Sequence, residues 1–205
     1  LIIYSKKMIK AIAFDLNGVI ITESGYFTHR LEQKYNIPNE DFFNIFSKVI
    51  KVARQPGCED FFKLWQQGLK DLGLSISKED FFDLWFSGES LVPAFLEYIK
   101  TLRKSGLKIF ILSNNFKERT TYYRQNFTEI FDSVDQAYFS WETGFVKPDP
   151  QAYQNILTKN NLQGNELVYF DDVEENINSA SNLGIVARKF EDLDKTKQTI
   201  EALIK

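Results

Sequence analysis

The sequence predicts an α/β protein with a central parallel sheet and an all-helical segment inserted after the first strand. The stretch AIAFDLNGVI reads as a buried strand that ends at the carboxylate of Asp15. After Pro93, short apolar stretches alternate with helical ones, as in a parallel sheet covered by helices on both faces. Between these regions, residues 24–90 carry apolar side chains three and four positions apart, which is typical of amphipathic helices.

The elements of the predicted sheet follow in order along the chain. Short apolar runs predict strands at residues 9–14, 108–112, 137–140, 167–170 and 185–188. Helical patterns between them predict helices at residues 95–105, 117–126, 150–160, 173–183 and 196–204, with Gly106 and Gly184 closing two of these. Inside the helical segment, Ser77 followed by Asp80 resembles a capped helix start.

Composition excludes several classes of protein. The chain has 205 residues, a net charge of −3 and a single cysteine. It lacks the basic field that attracts nucleic acid or anionic lipid, it cannot form a disulfide framework, and no apolar run is long enough to span a bilayer. We therefore expect a cytoplasmic protein, monomeric or dimeric, with no nucleic-acid or membrane partner. Residues 1–7 precede Met8 and read as an upstream extension or a remnant of cloning.

Polar residues follow three of the predicted strands. In an open parallel sheet, ligands bind beyond the carboxyl ends of the strands, so these side chains should converge. Grouped acids repel one another unless a cation joins them, and oxygen ligands of this kind suit Mg²⁺. The residues concerned are Asp15, Ser113, Asn114, Asp171 and Asp172, with Lys147 in the chain between the strand at 108–112 and the strand at 167–170.

Each of these residues also has a structural interpretation. Asp171 and Asp172 can cap the helix that follows them. The Ser113-Asn114 pair can be a plain turn, and Lys147 can lie in a surface loop. Asp15 at the end of its strand favours a functional role even alone, and the joint placement of all these residues is what most favours a functional site.

Four motifs, taken together, resemble the haloacid dehalogenase superfamily, whose members are mostly phosphatases. The matching stretches are FDLNGVI, ILSNN, ETGFVKPDPQAY and VYFDDVEENINSASNLG, in the family's order and over nearly the whole chain. The resemblance implies a three-layer, Rossmann-like core at residues 1–22 and 91–205. It also implies a helical cap domain at residues 23–90, a segment that matches only in being helical.

The resemblance also implies a role for each site residue. Asp15 would be the nucleophile that forms an aspartyl-phosphate. Ser113 and the backbone amides around Asn114 would hold the phosphoryl oxygens, and Lys147 would neutralise the charge that develops there. Mg²⁺ would be bound by Asp15, by the main-chain carbonyl of Asn17, by Asp172 directly and by Asp171 directly or through water, while Asn176 would steady that loop.

Asn17 departs from the family's pattern. A second aspartate usually stands at this position and acts as general acid and base, a role that an amide cannot fill. Four explanations stay open: a natural enzyme with weak or altered activity, an engineered variant, a natural aspartate recorded as asparagine, or a protein that has become a binding module.

We therefore expect an Mg²⁺-dependent hydrolase of a small phosphorylated metabolite, attenuated by Asn17. The alternatives are a catalytically weak phosphate-binding or regulatory module and a metal-independent 2-haloacid dehalogenase, although the retained pair of Asp171 and Asp172 argues against the dehalogenase. Arg30 and Arg54 are candidates to meet a second charged group of the substrate, against the alternative that both are solvent-exposed.

Overall fold

The computed structural model describes residues 9–204, which form seven strands and eleven α-helices. The strands are β1 Ala11–Phe14, β2 Ile21–Glu23, β3 Glu89–Leu91, β4 Lys108–Ser113, β5 Gln136–Phe139, β6 Leu167–Asp171 and β7 Val186–Lys189. The helices are α1 Phe27–Tyr35, α2 Asn39–Ala53, α3 Phe61–Asp71, α4 Lys78–Phe86, α5 Pro93–Lys104, α6 Lys117–Asn126, α7 Thr128–Ser133, α8 Ser140–Thr143, α9 Pro150–Asn160, α10 Glu174–Asn182 and α11 Leu193–Ile204.

Five strands form one parallel sheet in the order β5-β4-β1-β6-β7. The first strand of the chain therefore lies at the centre, between β4 and β6. Its pairing aligns Phe14 with Ile111 on one side and with Phe170 on the other. This register brings the carboxyl ends of three adjacent strands to one edge of the sheet.

Helices cover both faces of the sheet, and successive side chains of β1 point alternately to the two cores that these helices form with the sheet. Ile12 and Phe14 face a core built with α5, α6, α7 and α11, where Phe14 meets Phe95 edge-on at 5.1 Å between ring centroids. Ala11 and Ala13 face the opposite core, built with α9 and α10. All four residues of β1 are fully buried, so each face of the strand contributes apolar area removed from water.

Helices α1–α4 pack into a separate aromatic core that surrounds Trp65 and Phe81, both fully buried. The antiparallel ribbon of β2 and β3 connects this helical segment to the sheet at both of its ends. The segment also packs against the start of α6, where Phe61 stacks on Phe116 at 4.1 Å between ring centroids.

The predicted α/β class with its parallel sheet is confirmed, and each of the five predicted strands is present. The helix start at Ser77 is also confirmed, because the Ser77 hydroxyl accepts a hydrogen bond from the backbone N–H of Asp80 at 3.0 Å. The β2–β3 ribbon and α7 were not predicted. The division into a core and a cap domain stays a prediction, and the interpretation of residues 1–7 lies outside the described residues.

Within residues 9–204, no helix combines the length and the apolar character needed to cross a membrane.

Candidate active site

Three adjacent strands deliver polar side chains to one cleft. Asp15 follows β1, Ser113 ends β4 and Asp171 ends β6, and all three are buried. The cleft has a volume of about 640 Å³ and is also lined by Asn17, Gly18, Asn114, Lys147, Asp172 and Asn176. The predicted site residues therefore lie together, although Asp171 sits behind the wall of the cleft instead of lining it.

Lys147 is a buried ammonium that joins two carboxylates. Its Nζ lies 3.1 Å from Oδ1 of Asp15 and 2.6 Å from Oδ2 of Asp171, with 4% of the residue exposed. Asn114 fixes the backbone of Lys147: its Nδ2 donates to the Lys147 carbonyl and its Oδ1 accepts from the Lys147 N–H, both at 2.8 Å. The side chain of Asn114 is thus held by this loop, and its backbone N–H and the second N–H of its amide stay available for a bound anion.

Both oxygens of Asp171 already accept hydrogen bonds. Oδ2 accepts from Lys147 and from the Tyr169 hydroxyl. Oδ1 accepts from the N–H of Val173 at 2.9 Å and from Nδ2 of Asn176 at 3.0 Å. Burial disfavours the ionised carboxylate, but the Lys147 ammonium and these donors outweigh burial and lower the pKa of Asp171. Asp171 is therefore built as the fixed counter-ion of Lys147.

Asp172 is in a different situation from its neighbour, because its side chain is exposed at the cleft. It lies against Gly18, where a Cβ atom would come within 2.9 Å of the Asp172 Oδ2 atom. Gly18 also has a φ of +82°, a conformation that L side chains rarely adopt. Glycine at position 18 thus permits the turn after β1 to approach Asp172 closely.

Asp15, Asp171 and Asp172 form a carboxylate cluster in which one oxygen from each lies within 4.8 Å of the others. Burial raises the pKa of Asp15, and the charge of Asp171 adds to that effect while Lys147 opposes it. Burial and the charge of Asp171 likewise raise the pKa of Asp172. Because the cluster is an all-oxygen donor set in which one ammonium, that of Lys147, faces three carboxylates, it fits a hard divalent cation such as Mg²⁺.

The side chain of Asn17 is held by two partners that the sequence did not reveal. Its Nδ2 donates to the Tyr123 hydroxyl at 2.6 Å, and its Oδ1 accepts from Nδ2 of Asn115 at 3.0 Å. The backbone of Asn115 is in turn fixed by Ser140, whose hydroxyl contacts both its N–H and its carbonyl at 3.1 Å. Only the repeated asparagine in the SNN stretch gave a signal for Asn115.

The two arginines proposed to meet a substrate differ sharply. Arg30 does not reach the cleft, because its guanidinium donates to the carbonyls of Ser24, Gly25, Leu84 and Trp85 and to the carboxylate of Glu23. Its side chain is 12% exposed, so it is neither a substrate ligand nor a surface arginine. That expectation was wrong. Arg54 does line the cleft.

A family model described as haloacid dehalogenase-like hydrolase matches residues 9–184. Mouse acyl-CoA dehydrogenase family member 10 is 25% identical over 213 residues, which cover 95% of this chain and 19% of that protein. Pig bifunctional epoxide hydrolase 2 is 27% identical over 212 residues, which cover 94% of this chain and 38% of that protein. The chain therefore spans well under half the length of either relative.

A solved structure of a HAD family enzyme from Bacteroides thetaiotaomicron resembles the chain with a TM-score of 0.79 at 20% identity, covering 93% of this chain and 98% of that one. The same enzyme has also been crystallised in complex with magnesium and inorganic phosphate, in a form that gives a TM-score of 0.75. The structural likeness supports the three-layer fold, and the match of the family model extends over most of the sequence. The chain belongs to the haloacid dehalogenase-like hydrolase family.

Proposed function

We propose that the protein is an Mg²⁺-dependent hydrolase of small phosphomonoesters that acts through a phosphorylated Asp15. The observation that carries this proposal is the buried Lys147 ammonium between Asp15 and Asp171, with Asp172 beside them in the same cleft. The Lys147 ammonium neutralises part of the negative charge of these carboxylates while the cleft stays open to a substrate. The family to which the chain belongs and the magnesium and phosphate complex of the Bacteroides enzyme support the same reaction class.

The contacts of Asp15 favour one of its oxygens as the attacking atom. Oδ1 accepts from the Leu16 N–H at 2.7 Å and pairs with Lys147, whereas Oδ2 has no hydrogen-bond donor among residues 9–204. We assign Oδ2 as the atom that bonds to phosphorus while the bond to the leaving oxygen breaks and its electron pair departs with that oxygen. Lys147 and Ser113 would then stabilise the phosphoryl oxygens.

The cation would be held by Asp15, by the Asn17 carbonyl and by Asp172. Asp171 fits the water-mediated alternative better than direct coordination, because both of its oxygens are occupied by donors. A bound Mg²⁺ would supply charge neutralisation and orientation of the phosphoryl group. Asp171 would act as a positioning residue that keeps Lys147 in place.

The amide of Asn17 would slow the second half of the reaction, which is the hydrolysis of phospho-Asp15. Water must attack the phosphorus of phospho-Asp15 and transfer a proton, and the Asn17 amide cannot accept one. The same observation favours a second candidate function, a phosphate-binding or regulatory module whose cleft binds a phosphoryl group and Mg²⁺ without turning substrate over. The carboxylate cluster argues against a metal-independent dehalogenase, since three grouped acids are a poor site without a cation.

Residues 23–90 would form the cap and residues 1–22 and 91–205 the core. The proposed cap carries Tyr26 and Arg54 to the rim of the cleft. Closure of the cap would exclude water and select the substrate.

The experiment that tests the proposal is an assay of the chain and of its Asn17→Asp variant on a panel of phosphomonoesters, with Mg²⁺ and with EDTA. Metal-dependent phosphate release that increases in the variant supports the hydrolase. No release by either protein, with Mg²⁺ and a phosphate mimic still bound, selects the binding module. A parallel assay with a 2-haloacid such as 2-chloropropionate tests the remaining alternative, and halide release without metal selects the dehalogenase.

A further inference from the structure

Arg54 occupies the boundary between two cavities. It follows the last residue of α2 and lines the cleft that contains Asp15. It also lines a second cavity of about 550 Å³ inside the helical segment, where Phe27, Phe46 and Trp85 form part of the wall. A leaving group that extends from the phosphoryl site toward the helical segment would pass the four residues that line both cavities, which are Arg54, Arg119, Glu23 and Tyr26.

Arg54 has no anionic partner among residues 9–204, unlike the other arginines near the cleft. Arg119, which lines the same two cavities, pairs with Glu89 and Glu23. Arg30 is bound by four carbonyls and by Glu23. Arg54 makes no such contact, and its Nε is buried without an acceptor. A buried donor without a partner is costly, so this arrangement indicates a site for a missing acceptor.

The charges around Arg54 point to an anion as that acceptor. Burial and the nearby Arg119 guanidinium lower the pKa of Arg54, and the Asp15 carboxylate opposes them only in part, so an anion bound between the two arginines would offset the remainder. The phosphoryl group already has Lys147, Ser113 and the carboxylate-bound cation of the proposed site. The guanidinium remains available for a different part of the substrate.

We propose that Arg54 binds a second anionic group, carried on the leaving-group side of the phosphomonoester. The preferred substrates would then be phosphorylated alcohols that also bear a carboxylate or a second phosphate. This inference rests on the proposed function, because it assumes that a phosphomonoester occupies the cleft. A guanidinium presents paired donors to either oxyanion, which gives geometric as well as charge selection.

The test uses matched pairs of phosphomonoesters that differ only in the second anion. One pair is glycerol 3-phosphate and 3-phosphoglycerate, a longer pair is sorbitol 6-phosphate and 6-phosphogluconate, and a third is the mono- and bisphosphate of propane-1,3-diol. The kcat/KM ratio within each pair is measured for the Asn17→Asp protein, for the same protein with Arg54→Gln, and with Lys51→Gln as control. Lys51 lies in α2 three residues before Arg54 and carries the same charge, but it does not line the cleft.

We expect the member with the second anionic group to be preferred by about tenfold or more in at least one pair, as a charge-assisted hydrogen bond predicts. Arg54→Gln should reduce that preference to about twofold while changing kcat/KM for the member with the phosphate alone little, and Lys51→Gln should leave the ratio intact. A preference in the carboxylate pairs indicates that Arg54 binds a carboxylate, and a preference in the bisphosphate pair indicates that it binds a second phosphate. Equal losses for both members of a pair would overturn the proposal by placing Arg54 on the phosphoryl group. A preference that survives Arg54→Gln, or no preference in any pair, would also overturn it.

A binding measurement separates this inference from the proposed function. Calorimetric titration of the same pairs into the Asp15→Asn protein with Mg²⁺ reports recognition without turnover. If Arg54→Gln selectively weakens binding of the member with the second anionic group while the Asn17→Asp protein hydrolyses nothing, the inference stands and the proposed hydrolase fails. If hydrolysis occurs and binding shows no selectivity, the inference alone fails.

Discussion

Replacing Asn17 by aspartate should convert a slow site into an active one. The side chains have the same shape, and the amide of Asn115 already donates to Oδ1. The Tyr123 hydroxyl accepts from Asn17 and is itself hydrogen-bonded to the Glu89 carboxylate, so it would have to turn away from Glu89 to donate to the new carboxylate. We expect the Asn17→Asp variant to fold without repacking.

The same contacts set the size of the effect. General acid–base catalysis contributes about 10²–10⁴-fold to turnover. Hydrogen bonds donated to the new carboxylate, first of all from the Asn115 amide, would favour its ionised form and weaken it as the base that hydrolysis of the intermediate needs, so we expect an increase near the lower end, about 10²-fold. Mg²⁺ affinity should change by less than about threefold, because the proposed metal contact at this position is the backbone carbonyl.

The assay is phosphate release in the steady state, with Mg²⁺ binding measured separately by calorimetry. Asn17→Ala is the matched control, since it keeps the carbonyl and removes the amide without adding an acid, and it should show no gain. If Asn17→Asp is no faster than the parent on any phosphomonoester, the missing acid is not what limits the protein. The binding-module interpretation would then replace the hydrolase.

Three further predictions concern the nucleophile, the metal and the helical core. Asp15→Asn should abolish turnover, and initial rates equal to those of the parent would remove Asp15 from its role. In calorimetric titrations, Asp172→Ala should weaken Mg²⁺ binding more than Asp171→Ala does. Asp171→Ala should instead lower the free energy of unfolding by about 3–5 kcal/mol, because it deprives the buried Lys147 ammonium of a partner. The reverse order of metal affinities would contradict the assignment. Trp65→Ala should lower the free energy of unfolding by about 3–5 kcal/mol, measured by denaturant unfolding. Phe43→Ala, which removes a side chain that is 53% exposed, should lower it by less than about 1 kcal/mol. Similar losses of stability in the two variants would refute the assignment of the core.

The sheet could be predicted from the sequence because each of its strands is a short apolar run followed by a helix. The β2–β3 ribbon could not, since each of its strands has three residues and they pair across more than sixty positions of the chain. Short strands carry little periodicity, and their stability comes from a partner that the local sequence does not identify. The helix α7 was missed for a similar reason, because its six residues are too few for a helical pattern to repeat.

The residues of the site likewise separate into those that the sequence could place and those that it could not. Side chains that end strands, such as Asp15 and Ser113, could be placed from the sequence because the topology brings those ends together. Tyr123 could not be placed beside Asn17, since it lies 106 positions away on a mostly polar helix whose sequence gives no sign of a site. Arg30 was misassigned because four of its five acceptors are backbone carbonyls, which exist at every position and give no signal in a sequence. The ion pair that distinguishes Asp171 from Asp172 likewise joins Asp171 to Lys147, which lies 24 positions away.

The most direct test of the account is to trap the phosphorylated enzyme. An aryl phosphate such as p-nitrophenyl phosphate has a leaving group that departs without protonation, so Asn17 should hinder only hydrolysis of the intermediate. Rapid mixing with Mg²⁺, acid quench, intact-mass measurement and peptide mapping should then show a burst of p-nitrophenol and one phosphoryl group on the peptide that contains Asp15. Turnover with no phosphorylated protein, or a phosphoryl group mapped to any other residue, would contradict the account.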